Sequence, residues 1–347
     1  TNPDSNKTEI AIIEVGGTVG DIESQPFLEA IRQFRHEIGT GNSILIHVTL
    51  IPYLKASGEM KTKPTQASVK NLQGMGIQPD ILVCRSEYEI PRSMRQKIAL
   101  FCNVPETHVL QNLDYPILYE IPLAMEKEHL AEVACECLQL PCPEPDLKEW
   151  EDMVNAWKNR SKTVKIALVG KYTALHDAYI SVVESLKHAG TANDAKVDIK
   201  WIESENLNAA NADELLGDVS GILVPGGFGD RGISGKLQAI EYARTHGIPF
   251  LGLCLGMQLA IVEFCRHVIG YEDAHSSELN PATSHPVIHL MPVQNGVTDI
   301  GGTLRLGSYP CVLDKSSKAY QLYGEEVIHE RHRHRYEVNN DYREVLQ

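Results

Sequence analysis

No apolar run in this chain is long enough to cross a bilayer. The longest, residues 248–262, is broken by Pro249, two glycines and Gln258, and it falls short of the roughly 20 residues a membrane helix needs. The opening residues, TNPDSNKTE, lack the charged-then-apolar pattern of a secretion signal. Positive charge is scarce: 32 Lys and Arg against 46 Asp and Glu leave a net charge of -14. That excludes general affinity for nucleic acid or anionic membrane, since both need a basic surface. It leaves room for local basic pockets. The eight cysteines follow no regular spacing, so no disulfide framework is expected and a reducing, cytoplasmic setting is. Repeats and low-complexity tracts are absent. Disorder is excluded by a hydrophobic content of 43%, ordinary for a globular protein.

At roughly 150 residues per domain, 347 residues imply about two domains. The runs IAIIEV (10–15), SILIHVTL (43–50) and DILVC (80–84) are rich in β-branched residues, and helical patterns lie at 24–38, 65–76 and 92–102. Strands alternating with helices predict a parallel sheet covered on both faces. PCPEPD (141–146) breaks the pattern and reads as a linker. A second series follows, with strands expected at 164–170, 195–202, 221–227 and 248–254 and helices at 177–189, 233–246 and 256–268. From about residue 285 the pieces shorten, to HPVIHL and GGTLRLG. The expected fold is therefore α/β, with two domains, each a mostly parallel sheet with helices on both faces. The boundaries are 1–140 for the first domain, 141–160 for the linker and 161–347 for the second. Sites in such sheets lie at the carboxyl ends of the strands.

The segment IPFLGLCLGMQLAIVEF puts Cys254 between two glycines, where a buried strand ends and a helix begins. This is the pattern of a nucleophile elbow with Cys in place of Ser. A helix N-terminus lowers a thiol pKa, and the Leu255 N–H is placed to stabilise an oxyanion. A buried core cysteine is the alternative. A second glycine turn, PGGFGDRG (225–232), follows the preceding expected strand on the same sheet edge, and it favours the nucleophile. A thiol facing backbone donors suits acyl transfer through a thioester. PGGFG followed by GLCLGMQ resembles the class I glutamine amidotransferases, which hydrolyse glutamine at Cys and release ammonia. The resemblance implies oxyanion donors at Gly227 and Leu255, and a glutamine pocket lined by Gly256, Met257 and Gln258.

In the first domain, EVGGTVGDIE (14–23) combines three glycines with Glu14, Asp21 and Glu23. Glu14 at a strand end suits a Mg²⁺ ligand; a glycine turn with solvated acids fits the spacing equally well. SGEMKTKPTQ (57–66) puts two lysines and two hydroxyls where Pro64 marks the first turn of a helix. Cationic charge and free N–H groups converge there as an anion site, with an exposed polar loop as the alternative. Lys97 is a third cation, suited to clamping a triphosphate.

Taken in order, VGGTVGDIESQPFLEAIRQ, GEMKTKPTQ, KIALFCNVPE, PGGFGDRG, GLCLGMQ and ERHRHRYEVNN resemble the CTP synthase family over about residues 8–340. The resemblance implies a ligase in which ATP phosphorylates the uracil 4-oxygen of UTP and ammonia displaces the phosphate. Ammonia comes from glutamine and reaches the synthase site through the interior. It further implies Mg²⁺ at Glu14, and UTP or inhibitory CTP at Lys61, Thr62, Lys63, Pro64, Thr65, Gln66 and Lys97. Asp21, Ile22 and Glu23 would meet the cytosine end, and Leu113, Asp114 and Tyr115 the ATP base. Glu278 and Arg335 would hold the two ends of glutamine. A homotetramer and activation by GTP are also implied, the latter without assigned residues.

The family's P-loop and second Mg²⁺ aspartate are not found in this sequence, nor is the FHPE segment that completes the Cys triad. The expectation is therefore a synthase core truncated at both ends, with low turnover as it stands. A stand-alone glutamine hydrolase is a competing reading that leaves KTKPTQ unexplained. A nucleotide-binding scaffold without activity is another. In HERHRHRYEV (329–338), His332 and His334 would share a strand face and could chelate a metal, but no third ligand is spaced to complete a site. Arg335 reaching a carboxylate with its guanidinium fork is favoured.

Overall fold

The computed structural model describes residues 10–39, 41–171, 173–294 and 305–347. Residues 301–304 of the expected GGTLRLG strand lie outside the described residues. The chain divides into two compact units, Thr1–Lys158 and Asn159–Gln347.

The first unit runs α1 (Gln25–Ile38), β1 (Ile46–Leu50), a short hairpin of β2 (Tyr53–Leu54) and β3 (Glu59–Met60), α2 (Lys63–Gly74), β4 (Ile81–Ser86), α3 (Arg92–Cys102), β5 (Val109–Leu113), α4 (Ile121–Lys127), α5 (Leu130–Leu138) and α6 (Lys148–Lys158). Its sheet is parallel, in the order β1-β4-β5. Alternate residues of the strands face opposite sides. Leu82, Cys84 and Val109 pack with Val69 of α2 and Ile98 and Cys102 of α3. Ile81, Val83 and Leu110 pack with Met125 of α4 and Val133 of α5. The stretch expected as a linker includes α6, whose Trp150 indole N–H donates to the Tyr119 carbonyl at 2.7 Å.

One expectation fails here. Residues 10–15 form no strand, and Ile12 and Ile13 are 95% and 77% exposed. A β-branched run becomes a strand only beside a partner edge that satisfies its backbone and buries its side chains. Among the described residues no strand lies along 10–15. The alternate residues Ile46, Val48 and Leu50 of β1 are likewise exposed, so one side of β1 is left uncovered.

The second unit runs β6 (Lys162–Gly170), α7 (Ile180–Ala192), β7 (Ala195–Glu203), α8 (Ala212–Leu216), β8 (Gly221–Val224), α9 (Ile233–His246), β9 (Phe250–Gly252), α10 (Leu255–Phe264), β10 (His275–Ser276), β11 (Pro286–Leu290), β12 (Arg305–Val312), α11 (Lys318–Tyr323), β13 (Val327–His334) and β14 (Tyr336–Val338). Four strands make a parallel sheet in the order β7-β6-β8-β9. One face packs against α8, α9 and α10 through Leu216, Ala239, Ala243 and Leu259. The other meets α7 through Leu168, Leu223 and the partly buried Val182 and Leu186. A small sheet, β10-β11-β14, and an antiparallel ribbon, β12-β13, complete the unit. The expected strand 221–227 stops at Val224, because Pro225 cannot donate to the ladder. That releases Gly226 to Gly232 as a loop at the carboxyl end of the sheet.

Candidate active site and anion-binding loop

The β9–α10 junction turns within one residue. Cys254 has φ 54° and ψ −109°, a conformation costly for a residue with a side chain. The flanking glycines make it possible. A Cβ on Gly252 would lie 2.5 Å from the carbonyl carbon of Gly256, and one on Gly256 would lie 2.0 Å from the Val224 carbonyl oxygen. Both distances are below any real contact, so the strand and helix can approach this closely only with glycine at both places.

The loop after β8 faces the thiol. A Cβ on Gly226 would lie 3.1 Å from Cys254 Cβ and 3.6 Å from Sγ. Burial pushes the Cys254 thiol up, and the nearby Glu278 carboxylate adds to this; the N–H groups of Leu255 and Gly227 donate to the sulfur and pull it down, as does Lys236. The N–H groups of Leu255 and Gly227 thus both lie against the sulfur, and the net effect of these surroundings is a thiol held above its ordinary value. Gln258 is buried and donates from Nε2 to the Tyr336 carbonyl at 3.3 Å, so it ties α10 to β14. Met257 is 40% exposed beside it.

Glu278 follows β10, and its backbone N–H donates to Ser276 Oγ at 3.2 Å. Burial raises its carboxyl above the usual range, with Arg335 opposing the shift. Arg335 lies in the bend between β13 and β14, and its Nε is buried without a hydrogen-bond partner. Acid and arginine therefore act on one another, and the acid also acts on Cys254. The His332 and His334 rings are 5.6 Å apart, edge to face. Among the described residues no group of three His, Cys, Asp or Glu is placed to hold a metal.

Two lysines that the sequence reading passed over complete this surrounding. Lys171 follows β6 and donates to the Phe228 carbonyl. Lys236, in the first turn of α9, is fully buried. Within ISGKLQAI a lysine reads as a solvated helix residue. Its only sequence signal is the glycine at 235, where a Cβ would lie 1.7 Å from the Ser204 carbonyl oxygen.

In the first unit, Lys63 opens α2 with Pro64 in its first turn and Thr62 as N-cap. Lys61 pairs with Glu59, and Lys63 Nζ sits 5.8 Å from the Phe101 ring centroid, one turn along α3 from Lys97. The hydroxyls are less available than expected. Thr65 Oγ1 donates to the Leu50 carbonyl at 3.1 Å, and Thr62 Oγ1 accepts from Gln66 Nε2 at 3.0 Å. Asp21 caps its own turn, accepting from the Thr18 N–H at 3.3 Å, while Glu14, Ile22, Glu23 and Lys97 are exposed. Asp114 pairs loosely with Arg85 at 3.5 Å beyond the half-buried Leu113, and Tyr115 lines a cleft with Glu120, Lys127 and Lys158.

A strained thiol at a strand–helix elbow, with backbone donors aimed at it, places the second unit among the class I glutamine amidotransferases. Residues 174–346 match that family, glutamine amidotransferase class-I, and residues 1–140 match the CTP synthase N-terminus. The chain is 59% identical to the CTP synthase of Clostridium acetobutylicum over 338 residues, 97% of this chain and 63% of the relative. It is 56% identical to that of Geobacillus kaustophilus over 339 residues, 98% of this chain and 64% of the relative. A solved structure, the glutaminase domain of Trypanosoma brucei CTPS with bound acivicin, aligns at 41% identity and a TM-score of 0.49, covering 53% of this chain and 71% of that one. The chain belongs to the CTP synthase family, and it spans about 63% of the length of the curated relatives it matches.

Proposed function

We propose that the chain is the core of a ligase that converts UTP to CTP with ammonia drawn from glutamine. The observation that carries this is the pair of N–H donors, Leu255 and Gly227, on the Cys254 sulfur, in a chain whose other unit matches the CTP synthase N-terminus. The Cys254 thiolate attacks the carboxamide carbon of glutamine, and the developing oxyanion turns toward those donors. They lie in a water-poor site, where such stabilisation is strongest. The C–N bond of the tetrahedral adduct breaks as its nitrogen takes a proton from water and leaves as ammonia, and a further water adds to the thioester carbonyl and releases glutamate and the thiol. Arg335 suits the α-carboxylate and Glu278 the α-ammonium.

In the first unit, Lys61, Lys63 and Lys97 suit the triphosphate of UTP or of inhibitory CTP, with Asp21 to Glu23 near the base. ATP supplies the phosphate that makes the uracil oxygen a leaving group, with Leu113 to Tyr115 at its base. The same reading brings GTP as activator, a homotetramer as the assembly and a cytoplasmic setting. No helix among the described residues is long and apolar enough to cross a membrane. Mg²⁺ is the counter-ion this chemistry uses, but Glu14 stands outside any three-ligand cluster of described residues, so no step here is routed through the ion.

The test is labelling with an electrophilic glutamine analogue followed by peptide mapping. The expected result is modification of Cys254 alone among the eight cysteines, with protection by glutamine. Labelling spread over other cysteines and insensitive to glutamine would remove the assignment.

A further inference from the structure

The Gly227 N–H that lies against the Cys254 sulfur belongs to a loop, residues 226–232, that is part of no helix or strand. A donor stabilises an oxyanion well only if it is aimed before the charge develops, so this backbone has to be held from outside. The side chain that reaches it is Lys171, which is 5% exposed. Its ammonium donates to the Phe228 carbonyl, one residue past the donor. Its stem lies along Gly227 itself, where a Cβ would stand 3.5 Å from Lys171 Cε. Lys171 is in turn fixed at both of its backbone groups. Its N–H donates to Tyr179 Oη at 3.1 Å. The buried Tyr179 fits there because residue 170 is glycine, where a Cβ would lie 2.6 Å from the same oxygen. The Lys171 carbonyl accepts from Arg231 Nη2 at 2.6 Å, and Arg231 Nε lies 3.3 Å from the Glu205 carboxylate. The loop is therefore tied to residue 171 at two points, Phe228 and Arg231.

We propose, on the reading of Cys254 as the glutamine-hydrolysing nucleophile, that Lys171 is the residue that holds the Gly227 N–H aimed at the oxyanion. It is a positioning residue, because it acts through the loop backbone and not on glutamine. Its bond to the Phe228 carbonyl is charge-assisted, and such bonds are stronger than neutral ones. The Gly227 donor matters most when the glutamine carbonyl carries negative charge. The contribution of Lys171 therefore belongs to the transition state, and its loss falls on kcat and not on KM.

The experiment compares two reactions of Cys254 in the complete enzyme carrying Lys171→Met: hydrolysis of glutamine, which passes through an oxyanion, and alkylation by iodoacetamide, which does not. Hydrolysis is expected to lose about thirtyfold in kcat, somewhat less than removal of an oxyanion donor outright. KM for glutamine and the alkylation rate should each stay within about threefold of the parent. Lys171→Arg, which keeps a charged donor, is expected to restore most of kcat. An unchanged kcat in folded Lys171→Met would overturn the proposal. So would a loss confined to KM, or a fall in alkylation as large as the fall in hydrolysis, since either makes Lys171 a binding or a packing residue. If Lys171→Met does not fold, Lys171→Gln, which keeps a polar end but is too short to span to the carbonyl, is read by the same outcomes. A parent enzyme whose Cys254 alkylates but which turns over no glutamine would refute the glutaminase reading, and this proposal with it. Turnover in the parent with an unaffected variant refutes the proposal alone.

Discussion

Cys254 adopts φ 54° because three neighbouring positions surrender their side chains to the turn. Gly256 is the most constrained of them. A methyl there would meet the Val224 carbonyl oxygen at 2.0 Å, a backbone atom that cannot swing aside as a side-chain tip would. Gly256→Ala is therefore expected to lower the unfolding free energy by about 1–3 kcal/mol, measured by urea denaturation, and to slow labelling of Cys254. A variant as stable and as reactive as the parent would contradict the elbow geometry. This part of the site was legible in the sequence, because G-x-C-x-G states the steric requirement directly. Lys236 was not, because its burial is set by helix rotation and by the packing of Gly235, neither of which one residue announces. The bend that carries Arg335 between two strands was not legible either, since an alternating His–Arg run reads as one continuous strand.

At the scale of elements, the parallel strands after β1 follow their apolar runs closely, and the helices α1, α2, α3 and α9 lie where periodicity places them. Residues 10–15 show the limit of that reading. Composition marks a run that would be stable in a sheet, while pairing depends on an edge elsewhere in the molecule. The β6–β7 pair carries a feature that spacing alone could not supply. Asp218 accepts from Lys165 on β6 at 2.6 Å and from Lys200 on β7 at 2.7 Å. Hydrogen bonds from the two lysines hold its carboxyl down at about 2, against an ordinary 3.8. A carboxyl depressed on folding stabilises the fold above its unfolded value and loses that effect as pH falls toward its folded one. Thermal melts should therefore show Asp218→Asn less stable than the parent at neutral pH. The gap should shrink between about pH 4 and about pH 2. A gap that stays constant through that window would mean the carboxylate charge contributes nothing.

At the scale of the whole molecule, each of the two compact units contains its own core, and the function proposed above divides the chemistry between them. A chain of net charge -14 still gathers Lys61 and Lys63 at the start of α2, where helix N–H groups add to their field. Lys61→Ala and Lys63→Ala should each weaken UTP binding about tenfold or more, since a charge-assisted bond contributes roughly 1.5–3 kcal/mol. Glutamine hydrolysis measured without nucleotide should be little changed. Calorimetry showing unchanged UTP affinity in both variants would remove the triphosphate assignment.

The division itself is tested most directly by assaying CTP formation in the complete enzyme carrying Cys254→Ala, once with glutamine and once with ammonium salt as the nitrogen source. The account predicts that synthesis from glutamine is abolished while synthesis from ammonia continues at close to the parent rate. Equal loss of both in a folded variant would contradict it, because Cys254 would then serve the amination step and not the release of ammonia alone.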